Sequence, residues 1–162
     1  MSTGVNICNS DKNEAFQDYY PDDYSHCFGC GRLNEHGLQI KSYWDGNESI
    51  CRFLPKKHYT GGKKDILYGG LIASLIDCHG AGTAAFAKVK EQGIEIKKGE
   101  MPRFVTASLK VDYLAPTPVN TELELRGKIK EIAGHKVIVE VSLLAEQKVC
   151  AKAELLFIQV KE

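Results

Sequence analysis

GGLIASLIDCHG, residues 69–80, sets one carboxylate, Asp77, inside a run that is otherwise apolar or built from small residues. On a wheel of 3.6 residues per turn, Leu71, Ile72, Leu75, Ile76, Cys78, His79, Gly82, Thr83 and Phe86 share one broad side. Apart from His79 and Thr83 this is an apolar stripe fit to lie on a sheet. The opposite side holds Gly70, Ala73, Ser74, Asp77, Gly80, Ala81 and Ala84. A helix facing water carries Lys, Glu or Gln there, whereas small residues let another layer approach. The sequence therefore predicts a helix covered on both sides, by a sheet and by a second protomer or a ligand. A membrane span is disfavoured, because the glycines and the central Asp77 would be costly in hydrocarbon.

Outward from the helix the pattern changes to strands. Leu38–Trp44 and Ser49–Leu54 flank the turn residues Asp45-Gly46-Asn47 and read as a hairpin. Lys88 to about Glu100 reads as a charged connector. From Phe104 to Leu114 the chain alternates, with Val105, Ala107, Leu109, Val111 and Tyr113 on one face and Thr106, Ser108, Lys110 and Asp112 on the other. Three further strands follow, marked by Leu123, Leu125 and Ile129, by Val137 to Leu143, and by Val149 to Phe157, with turns at Gly134 and Glu146-Gln147-Lys148. One long helix among about six strands with hairpin-length links predicts an α+β domain, its antiparallel sheet covered by the helix. That domain spans 26–162, after a polar lead-in over 1–25 that is mobile or draped on the surface.

Bulk composition narrows the function. The 162 residues balance Lys+Arg 21 against Asp+Glu 21, which argues against nucleic acid and acidic membranes as partners. The first residues lack a basic start followed by an apolar stretch, so no secretory signal is expected and the protein reads as cytoplasmic. The six cysteines, at 8, 27, 30, 51, 78 and 150, are then expected as reduced thiols. Cys27-Phe-Gly-Cys30, with His26 and His36 nearby, is the one metal-like motif. A structural zinc site wants four ligands, usually from two pairs, and no second pair follows. The expectation is a turn at Gly29 and Gly31 whose cysteines pack as small hydrophobes, with no metal and no cofactor.

Chemistry concentrates at the helix. Gly70 and Asp77 project from nearly the same side, two turns apart, and the start at Gly69-Gly70 offers unpaired N–H groups and the positive end of the dipole. An N–H donor for a developing oxyanion and a carboxylate to activate water or attack directly is what acyl transfer wants. The other reading of Asp77 is a cap or a hydrogen bond across a dimer interface.

Leu67-Tyr68-Gly69-Gly70 through Asp77 resembles the helix-start motif of hotdog-fold acyl-CoA thioesterases, His-Gly-Gly and then seven residues ending in Asp. Cys27 to Asn34 with Gly37-Leu38, and Val105 to Leu109 with Tyr113-Leu114-Ala115-Pro116, resemble the flanking segments of the THEM-type and phenylacetate-pathway-like subgroup. The resemblance implies a hotdog fold and a homo-oligomer, dimer or dimer of dimers, with active sites at the subunit interface. Asp77 falls on the catalytic carboxylate, general base or nucleophile. Gly70 falls on the oxyanion-binding backbone, and Thr106 on a threonine that assists from the partner subunit. Tyr68 replaces the usual His; a phenol can donate a hydrogen bond to the thioester carbonyl but does not take up a proton near neutral pH. Gly69, Ser74 and His58 are placed with the substrate, and His135 and Lys136, or Lys63 and Lys64, with the phosphates of coenzyme A. His79 is assigned a core or interface role. A non-catalytic acyl-CoA-binding dimer is the alternative.

Overall fold

The computed structural model describes residues 14–161. Helix α1, Gly69–Gln92, begins where the sequence places it and runs for 24 residues, about 36 Å at 1.5 Å per residue. It is longer than the apolar run. Lys88 to Gln92, expected as the head of a connector, continue the helix: Lys88 is buried and pairs with Glu91. Gly93, at φ 63°, closes the last turn in the left-handed region.

Six antiparallel strands pack against it. They are β1 (Ser42–Asp45), β2 (Glu48–Phe53), β3 (Phe104–Tyr113), β4 (Leu123–Ala133), β5 (Lys136–Ala145) and β6 (Lys148–Gln159). The sheet order is β1-β2-β4-β5-β6-β3, which leaves β3, the strand after the helix, at an edge. This is the one-helix, six-strand arrangement the sequence predicts. Alternation puts Leu123, Leu125, Val137, Val139, Val141, Leu143, Leu155 and Phe157 inward against Leu71, Ile72, Leu75 and Ile76. The wheel is off at two positions. Gly80 and Ala84, assigned to the far side with Asp77, are buried; at Gly80 the absent Cβ leaves room for the Phe157 ring, 3.0 Å from where that carbon would stand.

The second cover of the helix comes in part from this same chain. Of the lead-in expected over 1–25, residues 1–13 lie outside the described residues, but Phe16–Tyr19 forms a 3-10 turn docked on α1, and a second such turn, Asp22–Tyr24, follows it. Phe16 stacks on Phe86 with ring centroids 4.3 Å apart, and Tyr19 meets the same ring edge-on. Gly82 admits Phe16, Gln17 and Tyr20 at close range. A polar segment without period hides this docking, because three aromatics suffice to bury it.

A buried polar network ties these layers together. The Gln17 side chain hydrogen-bonds Ser42 twice, donating to its hydroxyl and accepting from its N–H. His79, fully buried, sits between the hydroxyls of Ser42 at 2.9 Å and Ser49 at 3.0 Å. Thr83 contacts Ser49 at 2.6 Å and donates back to the His79 carbonyl. Burial pushes the imidazole pKa down to about 3, so the ring is neutral and can donate with one nitrogen while accepting with the other. His79→Leu leaves two buried serine hydroxyls short of a partner and is expected to lower stability by roughly 1–3 kcal/mol. A urea midpoint equal to that of the wild type would contradict this.

Candidate active site

One irregularity decides where Thr106 points. Residues directly opposite in antiparallel strands share a face. In β3, Thr106 pairs with Phe157 and Ser108 with Leu156, so the register slips by one and Ala107 is the extra residue of a bulge. Beyond it Leu109 pairs with Leu155 and Val111 with Ala153, both buried on the helix side. The inward row is therefore Phe104, Thr106, Leu109, Val111 and Tyr113. Strict alternation assigns Thr106 to the outward face; the bulge turns it in.

Turned in, Thr106 meets Asp77. Its hydroxyl donates to Asp77 Oδ1 at 2.6 Å within one chain, whereas the resemblance implies a threonine from a partner. Asp77 is half-buried among Ala73, Ser74 and Ala81, which are only partly covered. Burial raises its carboxyl above the usual carboxylate range, the Thr106 hydrogen bond opposes this, and negative charge at Cys27 adds to the rise.

The helix start is built differently from an ordinary one. Its N-cap is Tyr68, which makes no side-chain cap hydrogen bond. Leu71 and Ile72 N–H groups turn back to the Tyr68 carbonyl. Gly69 and Gly70, at the first turn, carry N–H groups that no intrahelical carbonyl can reach. The Tyr68 ring, 58% exposed, lies over Gly70 so closely that a Cβ there would overlap it. Tyr113, inward after the bulge, donates its phenol to the Gly69 carbonyl at 2.8 Å. Ser74 spends its hydroxyl on the Gly70 carbonyl at 2.9 Å. Tyr113 is missed by sequence reasoning as a site residue, since alternation reads it as one more member of the apolar row.

Seven residues separate Gly70 from Asp77, about 10.5 Å along the axis. An aspartate leaning toward the helix start shortens this gap without closing it. A single chain thus does not bring the carboxylate and the Gly70 amide within ~3 Å of one reacting carbon. His58 is exposed, packs edge-on against Tyr59 and is held near the helix start, since Tyr68 N–H bonds the Tyr59 carbonyl at 3.0 Å. Lys63 and Lys64 are exposed in the loop that leads into α1. His135 and Lys136 are not brought to this group: they lie at the β4–β5 turn, and His135 lines a separate depression with Pro21, Met101, Arg103 and Gln159.

Beside Asp77 the structure assembles a group that the sequence does not predict. Cys78 packs against the Cys27–Cys30 turn, and the Sγ atoms of Cys27, Cys30 and Cys78 lie within 4.8 Å of one another. Donation from the Cys30 and Cys78 thiols holds Cys27 well below the ordinary thiol range. Cys30 and Cys78 are raised in turn.

The thioesterase superfamily profile matches residues 64–152. A thioesterase superfamily protein of known structure from Shewanella loihica PV-4 is 44% identical, with a TM-score of 0.65, covering 86% of this chain and 98% of its own. E. coli PaaI, from the phenylacetic acid degradation operon, shares the fold at 14% identity and a TM-score of 0.62, covering 76% of this chain and 81% of its own. An uncharacterised protein from Pyrococcus horikoshii does so at 17% identity and a TM-score of 0.63, covering 91% and 95%. No curated protein matches the chain.

Tyr113→Phe removes the bond to the Gly69 carbonyl at the head of α1. It is expected to cost about 0.5–1.5 kcal/mol in a denaturant titration while the fold persists; an unchanged midpoint would mean that this bond adds nothing to the helix start.

Proposed function

The chain belongs to the thioesterase superfamily, and on that premise we propose that it hydrolyses an acyl thioester, acyl-CoA or a close relative, to free acid and thiol. The observation that carries the reading is the Asp77–Thr106 pair: a half-buried carboxylate, raised by burial and oriented by a hydroxyl, beside a partly open stripe of small residues. Asp77 takes a proton from water as the water oxygen bonds to the thioester carbonyl carbon. The carbonyl oxygen gains the charge and is held by the Gly70 N–H at the positive end of α1. Collapse breaks the C–S bond, and the thiol leaves with the proton that Asp77 held. Thr106 fixes the carboxylate, and the Tyr68 phenol stands where it can donate to the carbonyl.

The ~10.5 Å between Gly70 and Asp77 implies a site made by two chains, with Asp77 from one and the Gly70 amide from the other. The free edge of β3 supports this. Val105, Leu109, Tyr113 and Leu114 are exposed apolar or aromatic residues on or beside a ten-residue strand that pairs on one side only among the described residues, a surface that isolated chains seldom leave open. Antiparallel pairing of two β3 edges would set the two α1 helices side by side in opposite directions. Lys63 and Lys64, exposed before the helix start, are the cations this reading assigns to the phosphates of a coenzyme A thiol. The free cysteines fit a cytoplasmic protein, and among the described residues no helix is long and apolar enough to cross a membrane.

The test follows the thioester absorbance, because free cysteines react with thiol dyes. Asp77→Asn is expected to lower kcat by at least ~10²-fold. Gly70→Pro removes one N–H in the first helical turn and pushes the overlying Tyr68 ring aside, and it is expected to lower kcat by at least ~10²–10³-fold. Mixed dimers of the two variants should recover activity, since each keeps one site with both groups intact. Turnover unchanged in Asp77→Asn would remove the assignment, and no recovery on mixing would remove the two-chain site. Tight binding of intact acyl-CoA by the wild type without turnover would favour the non-catalytic reading.

A further inference from the structure

The segment Cys27-Phe28-Gly29-Cys30-Gly31 is shaped around its sulfur atoms. The Gly31 N–H closes onto the Cys27 carbonyl at 2.8 Å. A side chain on Gly31 would overlap the main chain of Ser25 and Cys27, and one on Gly29 would overlap Cys78 Sγ. The amides of Gly29 and Cys30 are directed at the Cys27 sulfur. Two glycines thus hold the backbone tight enough for a third cysteine, from α1, to join the pair.

The spacing of the three sulfurs is that of ligands. Their Sγ atoms lie within 4.8 Å of one another, and Cys27 to Cys78 is 3.7 Å. Tetrahedral zinc with Zn–S bonds of about 2.3 Å needs sulfurs ~3.8 Å apart. A disulfide would need ~2.05 Å, and all three residues are free thiols. Cys30 and Cys78 are buried while Cys27 reaches the surface, so the group is open on one side.

We infer that Cys27, Cys30 and Cys78 bind one thiophilic divalent cation, zinc by the nature of the ligands, with solvent at its fourth position. Three soft thiolates select zinc over magnesium or calcium. The thiols still protonated release their protons as the metal enters. The ion would tie the 27–31 loop to α1 at the residue after Asp77, linking two parts of the chain that otherwise meet through the close approach at Gly29. Its occupancy is read without substrate, so it stands or falls apart from the thioesterase reading.

The experiment uses the full chain, stripped with a chelator under reducing conditions and titrated with Zn²⁺ and, separately, Co²⁺. One equivalent per chain is expected, with thiolate-to-cobalt charge-transfer absorption and a Tm that rises with metal concentration. Cys27→Ser alters an exposed position and should fold. It is expected to weaken binding by more than the ~10–100-fold that loss of an outer partner costs, and to abolish the rise in Tm. Cys150→Ala, outside the group, should bind as the wild type does. Sub-stoichiometric uptake without the charge-transfer band, or full affinity in Cys27→Ser, would overturn the inference.

Discussion

A single extra residue in an edge strand governs the site. Without the bulge at Ala107, Thr106 would share the outer face with Lys110 and Asp112, and Asp77 would lose the donor that orients it. Tyr113, beyond the slip, keeps the inward face that alternation gives it and holds the Gly69 carbonyl, so the irregularity lets one strand face serve both the middle and the head of α1. Bulges re-aim side chains, and this one re-aims Thr106 where the sheet ends. Among the described residues β3 has a neighbour on one side only, so no second ladder there opposes the distortion.

Close approach is the second constraint. Gly29, Gly80 and Gly82 each leave a space that another layer fills, the Cys78 sulfur, the Phe157 ring and the Phe16–Tyr20 segment respectively. The helix is gripped along its length by sheet and amino-terminal segment. What remains partly open is the strip from Ala73 to Ala81 that carries Asp77. The His79 network makes the grip specific: five polar side chains from the amino-terminal segment, two strands and the helix satisfy one another away from water. A carboxylate on a helix held so firmly keeps its position relative to β3, as a reacting group must.

Much of this architecture is legible in the sequence because periodicity reports burial directly. The helix start, the apolar stripe from Leu71 to Phe86, the hairpin turns and the core role of His79 follow from spacing alone. The residues that escape do so for physical reasons. A bulge changes no residue type, so strict alternation places Thr106 on the wrong face. The docking of Phe16 rests on a few aromatics in a polar context. Cys78 reads as one more residue of an apolar stripe, since its meeting with Cys27 and Cys30 is a tertiary contact between a loop and a helix far apart in sequence. The wheel shows that Gly70 and Asp77 share a side two turns apart, and the ~10.5 Å of rise between them is the reason for proposing a site made by two chains.

The account is tested most directly by a crystal structure of the protein with a non-hydrolysable thioester analogue. It predicts the analogue's carbonyl oxygen at hydrogen-bond distance from the Gly70 N–H of one protomer, with the Asp77 carboxylate of the other facing the carbonyl carbon and still bonded to Thr106. An analogue seated away from Asp77, or contacting Gly70 and Asp77 of the same chain, would contradict it.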